Sequence, residues 1–330
     1  MDGVARAIMS NDAPAALTRA SFLGPGLLLV LATALISGIS TFVNLYAVHG
    51  TNSDAFVTVR NATVALALVP IAFFAARTAH APLRGIDWTR LVAIGVVGGG
   101  IPFLLFFHGL ALAAAAGGGI TASFLYRTLF LMATVLGVVV LRERFHWRYA
   151  AAAALLLGGN LLLLSWKSPV WTDGSVYVLA ATALWAVEYT ISKRTLRDVA
   201  SGTVALGRMG FGALFLLGYL AVTSQVGSVA AFTSGQWMWV GISAALLTAF
   251  VTTWYAGLRR LDLGVATSVL VLGFPVSWLL AAAVDGAPVT LWESVGAGAV
   301  VFGVSVAIGG SLFRATREFL GAVGRPRPSA

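Results

Sequence analysis

"VTVRNATVALALVPIAF", residues 57–73, and "VALGRMGFGALFLLGYL", residues 204–220, decide how this chain is read. Each is an apolar run broken by one arginine, Arg60 in the first and Arg208 in the second, and the two arginines lie 148 positions apart. A charge inside hydrocarbon costs about 2.5–3.5 kcal/mol on insertion scales, so it is kept there only against a cavity or a partner. The offset recurs along the chain. "LATALI" at 31–36 returns as "AATALW" at 180–185, "DWTRLVAIGVV" resembles "QWMWVGISAAL", "FHGLAL" resembles "YAGLRRL", and "HWRYAAAAALLLGG" resembles "LWESVGAGAVVFGV". Their constant order and near-constant offset point to an internal duplication.

The 330-residue chain is 59% hydrophobic and 10% charged, with a mean hydropathy of +0.91, whereas a soluble domain is about 25% charged. Apolar stretches able to cross a ~30 Å hydrocarbon core run almost end to end. Ten spans are expected, at 23–46, 54–76, 91–114, 119–141, 149–166, 174–192, 200–223, 236–257, 264–284 and 289–311. Continuous apolar runs suit helices, which satisfy their own backbone in lipid, better than the alternating strands of a barrel. The fold class is therefore all-α, polytopic. The short connections leave no room for a soluble catalytic domain, so no enzyme is expected. Cysteine is absent, which excludes disulfides, thiol catalysis and thiolate metal sites. His49, His80, His108 and His146 show no ligand spacing, and no dinucleotide fingerprint, Walker loop or zinc-protease motif occurs, so neither metal nor cofactor is expected. The first twenty residues, with Arg6, Arg19, Asp2 and Asp12, are too polar for a signal peptide, and the first span is read as retained.

The formal charge of +9 is a topology signal rather than a nucleic-acid footprint. Seventeen of the 21 Lys and Arg residues fall in the N-terminus, the 2/3, 4/5, 6/7 and 8/9 connections and the C-terminal tail. On the other side stands Lys167 alone, and Arg60, Arg127 and Arg208 lie within spans. This places both termini in the cytoplasm, with some affinity for anionic lipid headgroups. The organisation reads as an N-terminal tail at 1–22, repeats at 23–166 and 174–311, and a C-terminal tail at 312–330, its "GRPRPSA" end disordered.

Five spans per repeat is an odd number, so the second copy enters the membrane from the opposite side. Inverted repeats are the architecture of many secondary transporters, with the substrate site near the midplane. Two five-span halves, an Arg in the second span of each, a fourth span ending in "VVLRERF" and a Gly-rich fifth span resemble the drug/metabolite transporter superfamily with paired EamA-type domains. That resemblance implies a ten-helix carrier of the inner membrane exporting a small metabolite, with an amino acid or related compound as the leading substrate class. An exchanger of phosphate or dicarboxylate metabolites using Arg60, Arg127 and Arg208 together is the alternative, and a scaffold without transport the more remote one. The second half departs from the pattern: Glu143 follows span 4, whereas "VDGAPVTLW" puts Pro288 at the equivalent place. Among Arg142, Arg144 and Arg148, Glu143 reads as an interfacial ion pair.

The repeat also sorts the polar groups. Arg60 and Arg208 occur in both copies, as scaffold residues would. Arg127, Glu188 and His108 have apolar counterparts (Leu272, Ile39 and Ala256) and are the better candidates for an asymmetric substrate. Arg127, in "ITASFLYRTLFLMATVLGVVVL", lies about nine residues in from the outer end of span 4, or ~14 Å at the helical rise. It shares a face with Ser123, Phe130 and Thr134, and its fork either holds a carboxylate or phosphate bidentately or is itself held, as scaffold, by helix carbonyls and Tyr126. Glu188 shares a face with Trp185, and either binds an amine or proton or snorkels to Lys193 or Arg194. Thr248, Thr252 and Tyr255 form a polar stripe on span 8. "GGGIPF", containing Pro102, and "GFPVS", containing Pro275, mark breaks or hinges in spans 3 and 9. Gly158, Gly159, Gly296, Gly298 and Gly303 read as packing surface, with contact to a second copy, a homodimer, also open.

Overall fold

The computed structural model describes residues 24–47, 51–77, 83–164 and 170–323. Among them the regular structure is helical: α1 (Pro25–Ala47), α2 (Ser53–Arg77), α3 (Gly85–Ile94), a π-helical turn (Gly95–Gly100), α4 (Ile101–Ala115), α5 (Gly119–Arg127), α6 (Leu129–Leu141) and α7 (Trp147–Leu163) form the first half. The second comprises α8 (Asp173–Thr195), α9 (Ser201–Val222), the short α10 (Gly227–Ala230), α11 (Ser234–Leu258), α12 (Leu263–Leu270), α13 (Gly273–Asp285) and α14 (Leu291–Val323). Nine of the described spans are long and apolar enough to cross a membrane, and Trp147–Leu163 is a shorter apolar helix, consistent with ten.

Three spans are not single α-helices. Span 3 runs α3, π-turn, α4. Span 4 is α5 and α6, which part at Thr128, whose hydroxyl folds back to donate to Leu125 O at 2.6 Å. Span 9 is α12 and α13, with Pro275 lacking the N–H that a continuous helix would offer Val271 O; Phe274 N donates there instead, at 3.1 Å. Span 10 differs from expectation at its far end, since α14 continues to Val323, into the segment read as tail. Residues 1–23 and 324–330 lie outside the described residues.

The halves interlock through two pairs of equivalent spans, 2 with 7 and 5 with 10, and two crossed pairs that the repeat exchanges, 1 with 8 and 3 with 6. α2 packs on α9, α7 on α14, α1 on α11 and α4 on α8. Close approach requires glycine at the α7/α14 crossing: a Cβ on Gly159 would meet Gly296 O at 2.7 Å, and one on Gly296 would meet Gly159 O at 2.6 Å. Gly303 likewise faces Leu155 and Leu156, so three of the five glycines assigned to helix packing are used within the chain. A central core of Leu91, Ile94, Trp185, Tyr189, Met209 and Trp254 joins both halves.

One pairing breaks the symmetry. α6 packs along α12 at the end bearing the arginine-rich connections, here called the basic end. The pseudo-twofold would pair α5 with α13 at the opposite end, yet these have little contact beyond the breaks, where Tyr126 and Arg127 reach Phe274.

Candidate functional site at the paired helix breaks

Two polar groupings occupy the membrane interior. The first is organised by the π-turn. Pro102 has no N–H to give the carbonyl four residues back, and that carbonyl, Gly98 O, accepts from Trp185 Nε1 at 3.1 Å and Arg208 Nη2 at 3.3 Å. Its neighbour Gly99 O accepts from Asn61 Nδ2 at 3.2 Å, and Asn61 Oδ1 accepts from Arg60 Nε and Nη2 at 3.2 and 3.1 Å. Arg60 lies over the Phe103 ring, 5.2 Å from its centroid. Both repeat-conserved arginines thus tie spans 2 and 7 to the unwound backbone of span 3, one directly and one through Asn61.

Glu188 fills the space that Gly98 leaves; a Cβ there would stand 2.2 Å from Glu188 Cγ. The carboxylate is fully buried. Its Oε1 accepts from Ser192 Oγ at 2.5 Å and Tyr255 OH at 2.7 Å, and its Oε2 faces Arg208 Nη2 at 3.7 Å. The snorkelling reading is overturned: Lys193 turns away, donating to Leu258 O and Leu261 O at 2.8 and 2.6 Å. Pairing with Arg208 on the neighbouring helix spares Glu188 the cost of an isolated buried charge.

The second grouping is a cavity of about 40 Å³ at the breaks of spans 4 and 9, lined from both halves by residues that include Ser37, Tyr126, Arg127, Phe250, Thr267 and Phe274. Arg127 ends α5. Its Nη1 donates to Asn160 Oδ1 at 3.2 Å, and its guanidinium lies over the Phe274 ring at 4.3 Å. Asn160, fully buried on α7, is held in turn by donating to Leu156 O at 2.7 Å. Tyr126 and Trp185 touch edge to face at 5.5 Å, so one aromatic layer separates this cavity from the Glu188 network.

An EamA-like transporter family model matches residues 24–165 and 172–309, one domain per half. The chain belongs to the EamA-like transporter family. It is therefore a multi-pass membrane protein of the drug/metabolite transporter superfamily. A solved crystal structure, 20% identical, superposes with a TM-score of 0.67 over 86% of this chain and 96% of its own, which shows a shared fold. No curated protein matches the chain.

Within this EamA-like transporter the candidate residues separate clearly. Arg127 lines the cavity. Trp185, Glu188 and Tyr255 belong to the adjacent buried network, and Arg60 and Arg208 brace it. Ser123 is half-buried one turn before Arg127 and is not part of the cavity lining. His108 is not brought to the site: it is exposed on α4, edge to face with Tyr177 at 5.4 Å. The Thr248 and Thr252 hydroxyls donate to carbonyls one turn back rather than forming a wall, and Phe250 lines the cavity instead. Pro102 and Pro275 are both buried at the unwound segments. Sequence reasoning missed Asn61, Asn160 and Phe274; a lone Asn in "LLLGGNLLLL" was the available signal for one of them.

Glu143 also departs from its sequence reading. Its Oε1 accepts from Leu263 N at 2.7 Å and its Oε2 faces Gly264 N at 3.4 Å, so it caps α12 of the other half instead of pairing with its arginine neighbours. Burial raises its carboxyl above the ordinary carboxylate value, with Asp262 adding to the rise, while the Leu263 and Gly264 N–H groups and Lys193 oppose it.

Proposed function

We propose that this protein is a secondary carrier of the cytoplasmic membrane that exports a small polar or amphipathic metabolite, an amino acid or related compound, by alternating access. The supporting observation is the placement of Arg127: a guanidinium at the facing breaks of two spans, on a cavity lined by both repeats. Discontinuous helices at the interface of inverted repeats are a recurring way to build a midplane substrate site. A guanidinium presents parallel donors to a carboxylate, and Phe250, Tyr126 and Phe274 offer an apolar wall for a side chain. The unequal pairing, α6 on α12 but not α5 on α13, is the asymmetry expected of a carrier shut at one end. With the basic connections on the cytoplasmic side, the shut end is the cytoplasmic one.

The anion-exchanger reading needs three arginines on one ligand. Arg60 and Arg208 are instead engaged with Asn61, Gly98 O and Glu188, which weighs against it.

The test is a thermal-shift screen of the purified protein against amino acids and other carboxylates, since a ligand of the folded state stabilises it by mass action, followed by flux in proteoliposomes. Carboxylate ligands should raise the melting temperature of the native protein but not of Arg127→Leu. Equal stabilisation of both, or flux unchanged in the Leu variant, would overturn the assignment.

A further inference from the structure

α12 begins at Leu263, and its first N–H groups have no partner within the helix. Asp262 stands at its N-cap but makes no side-chain capping bond. The acceptor comes from the other repeat. Arg142 ends α6 in the left-handed region, φ 58°, so the chain turns back, Glu143 N donates to Gly137 O at 3.0 Å, and the Glu143 carboxylate reaches Leu263 N–H and Gly264 N–H. The path is cleared by glycine, since a Cβ on Gly137 would lie 2.8 Å from Glu143 Oε2. Just inside, Thr134 closes on Gly264, where a Cβ would meet its Oγ1 at 3.2 Å. This is the place where α6 lies against α12 and the basic end is shut.

The opposite end has the same turn without the carboxylate. Gly286 ends α13 with φ 65°, and Ala287 N donates to Ala281 O at 3.3 Å. The matching turns align Glu143 with Ala287, one position earlier than the sequence comparison placed it. A methyl group cannot cap α5, and there α5 and α13 stand apart.

We infer that Glu143 is the latch of the basic-end gate: its carboxylate, capping the helix of the other repeat, holds the cavity shut on that side and must release for it to open there. The inference rests on the alternating-access reading, because a gate has meaning only in a cavity that opens both ways. With no counterpart at Ala287, the carrier rests with the basic end closed.

The chain has no cysteine, so one introduced thiol reports accessibility. Thr267 is 2% exposed, lies on α12 and lines the cavity. Thr267→Cys should react slowly with a membrane-impermeant maleimide applied at the basic end. Adding Glu143→Ala should raise that rate by about tenfold or more, the scale set by loss of a hydrogen bond to a charged group. Glu143→Gln, which keeps a carbonyl acceptor for Leu263 N–H and has no charge to bury, should stay near the slow native rate. A second reporter, Ala152→Cys, 1% exposed on α7, controls for general loosening. An unchanged Thr267→Cys rate in the Ala variant overturns the latch. So does an equal rise at Ala152→Cys, which would make Glu143 a folding cap. The readout needs no substrate, so failure to find flux with any amino acid would count against the transport reading and leave this result standing.

Discussion

Gly98→Ala should be among the most damaging single-methyl additions to this protein. The new Cβ would stand 2.2 Å from Glu188 Cγ, 2.7 Å from Cδ and 3.0 Å from Oε2, more than an ångström short of ordinary contact at the closest point. The Gly98 backbone cannot retreat freely, because its carbonyl is held by Trp185 and Arg208. Glu188 cannot retreat without straining its bonds to Ser192 and Tyr255 and its pairing with Arg208. Overpacking alone costs about 1–3 kcal/mol, and separating a buried ion pair raises this to about 3–5 kcal/mol. Gly158→Ala is the control: nothing lies within 4 Å of its added Cβ. Thermal inactivation half-lives in detergent, the operational measure for a protein that unfolds irreversibly, should fall sharply for Gly98→Ala and stay near native for Gly158→Ala. In a double-mutant cycle, Glu188→Ala should absorb most of the Gly98→Ala penalty, because the atoms it strikes are gone. Equal half-lives for the two alanine variants, or strictly additive losses in the cycle, would refute the close packing of Glu188 on span 3.

Arg127→Lys should fold yet lose ligand affinity by about tenfold or more, since an ammonium reproduces neither the fork nor the flat stack on Phe274, and Arg127→Leu should fold and transport nothing; calorimetric titration and vesicle flux check these. The Glu143 carboxyl is raised in the shut state, by burial first, and returns to its ordinary value when released to water. The shut state therefore binds the proton more tightly, and acidification at the basic end, from the raised value toward the ordinary one, should favour closure. Labelling of Thr267→Cys from that end, taken relative to a reference thiol at Arg197→Cys, should slow as pH falls there, and Glu143→Gln should abolish the dependence. Gly227→Cys and Arg197→Cys, both at exposed positions, should label from opposite faces of the membrane; labelling from one face would dismantle the inverted topology.

The all-α class and the two repeats are legible in the sequence because hydropathy and arginine placement act over whole spans. The span 9 break is also legible, since Gly273 and Pro275 announce it. Its partner in span 4 is not, because "LYRTLF" contains neither residue and the helix parts through a threonine hydroxyl turned onto Leu125 O. Depth along one helix placed Glu188 within reach of Lys193, a local argument that could not see Arg208. Its true partner arrives on α9, which approaches span 3 closely enough that a Cβ on Gly212 would meet Gly99 at 2.6 Å. Arg127 was found by its cost in lipid, whereas Asn160 and Phe274, which hold it, carry no such cost and gave little warning. Matching by residue type set Glu143 against Pro288; backbone conformation at Arg142 and Gly286 sets it against Ala287.

Pro102 makes span 3 lend out a bond. A helix normally spends each carbonyl on itself, but here the Gly98 oxygen serves a tryptophan on span 6 and an arginine on span 7, both from the other repeat. In hydrocarbon no water bids for that oxygen. A joint whose acceptor is main chain cannot be retuned by exchanging the residue that supplies it, because every side chain at 98 presents the same carbonyl and differs only in bulk. While Pro102 stays, divergence at this crossing therefore proceeds through the donors. Trp185 and Arg208 are where a relative of this protein could alter the coupling between its halves while leaving the backbone of span 3 as it is.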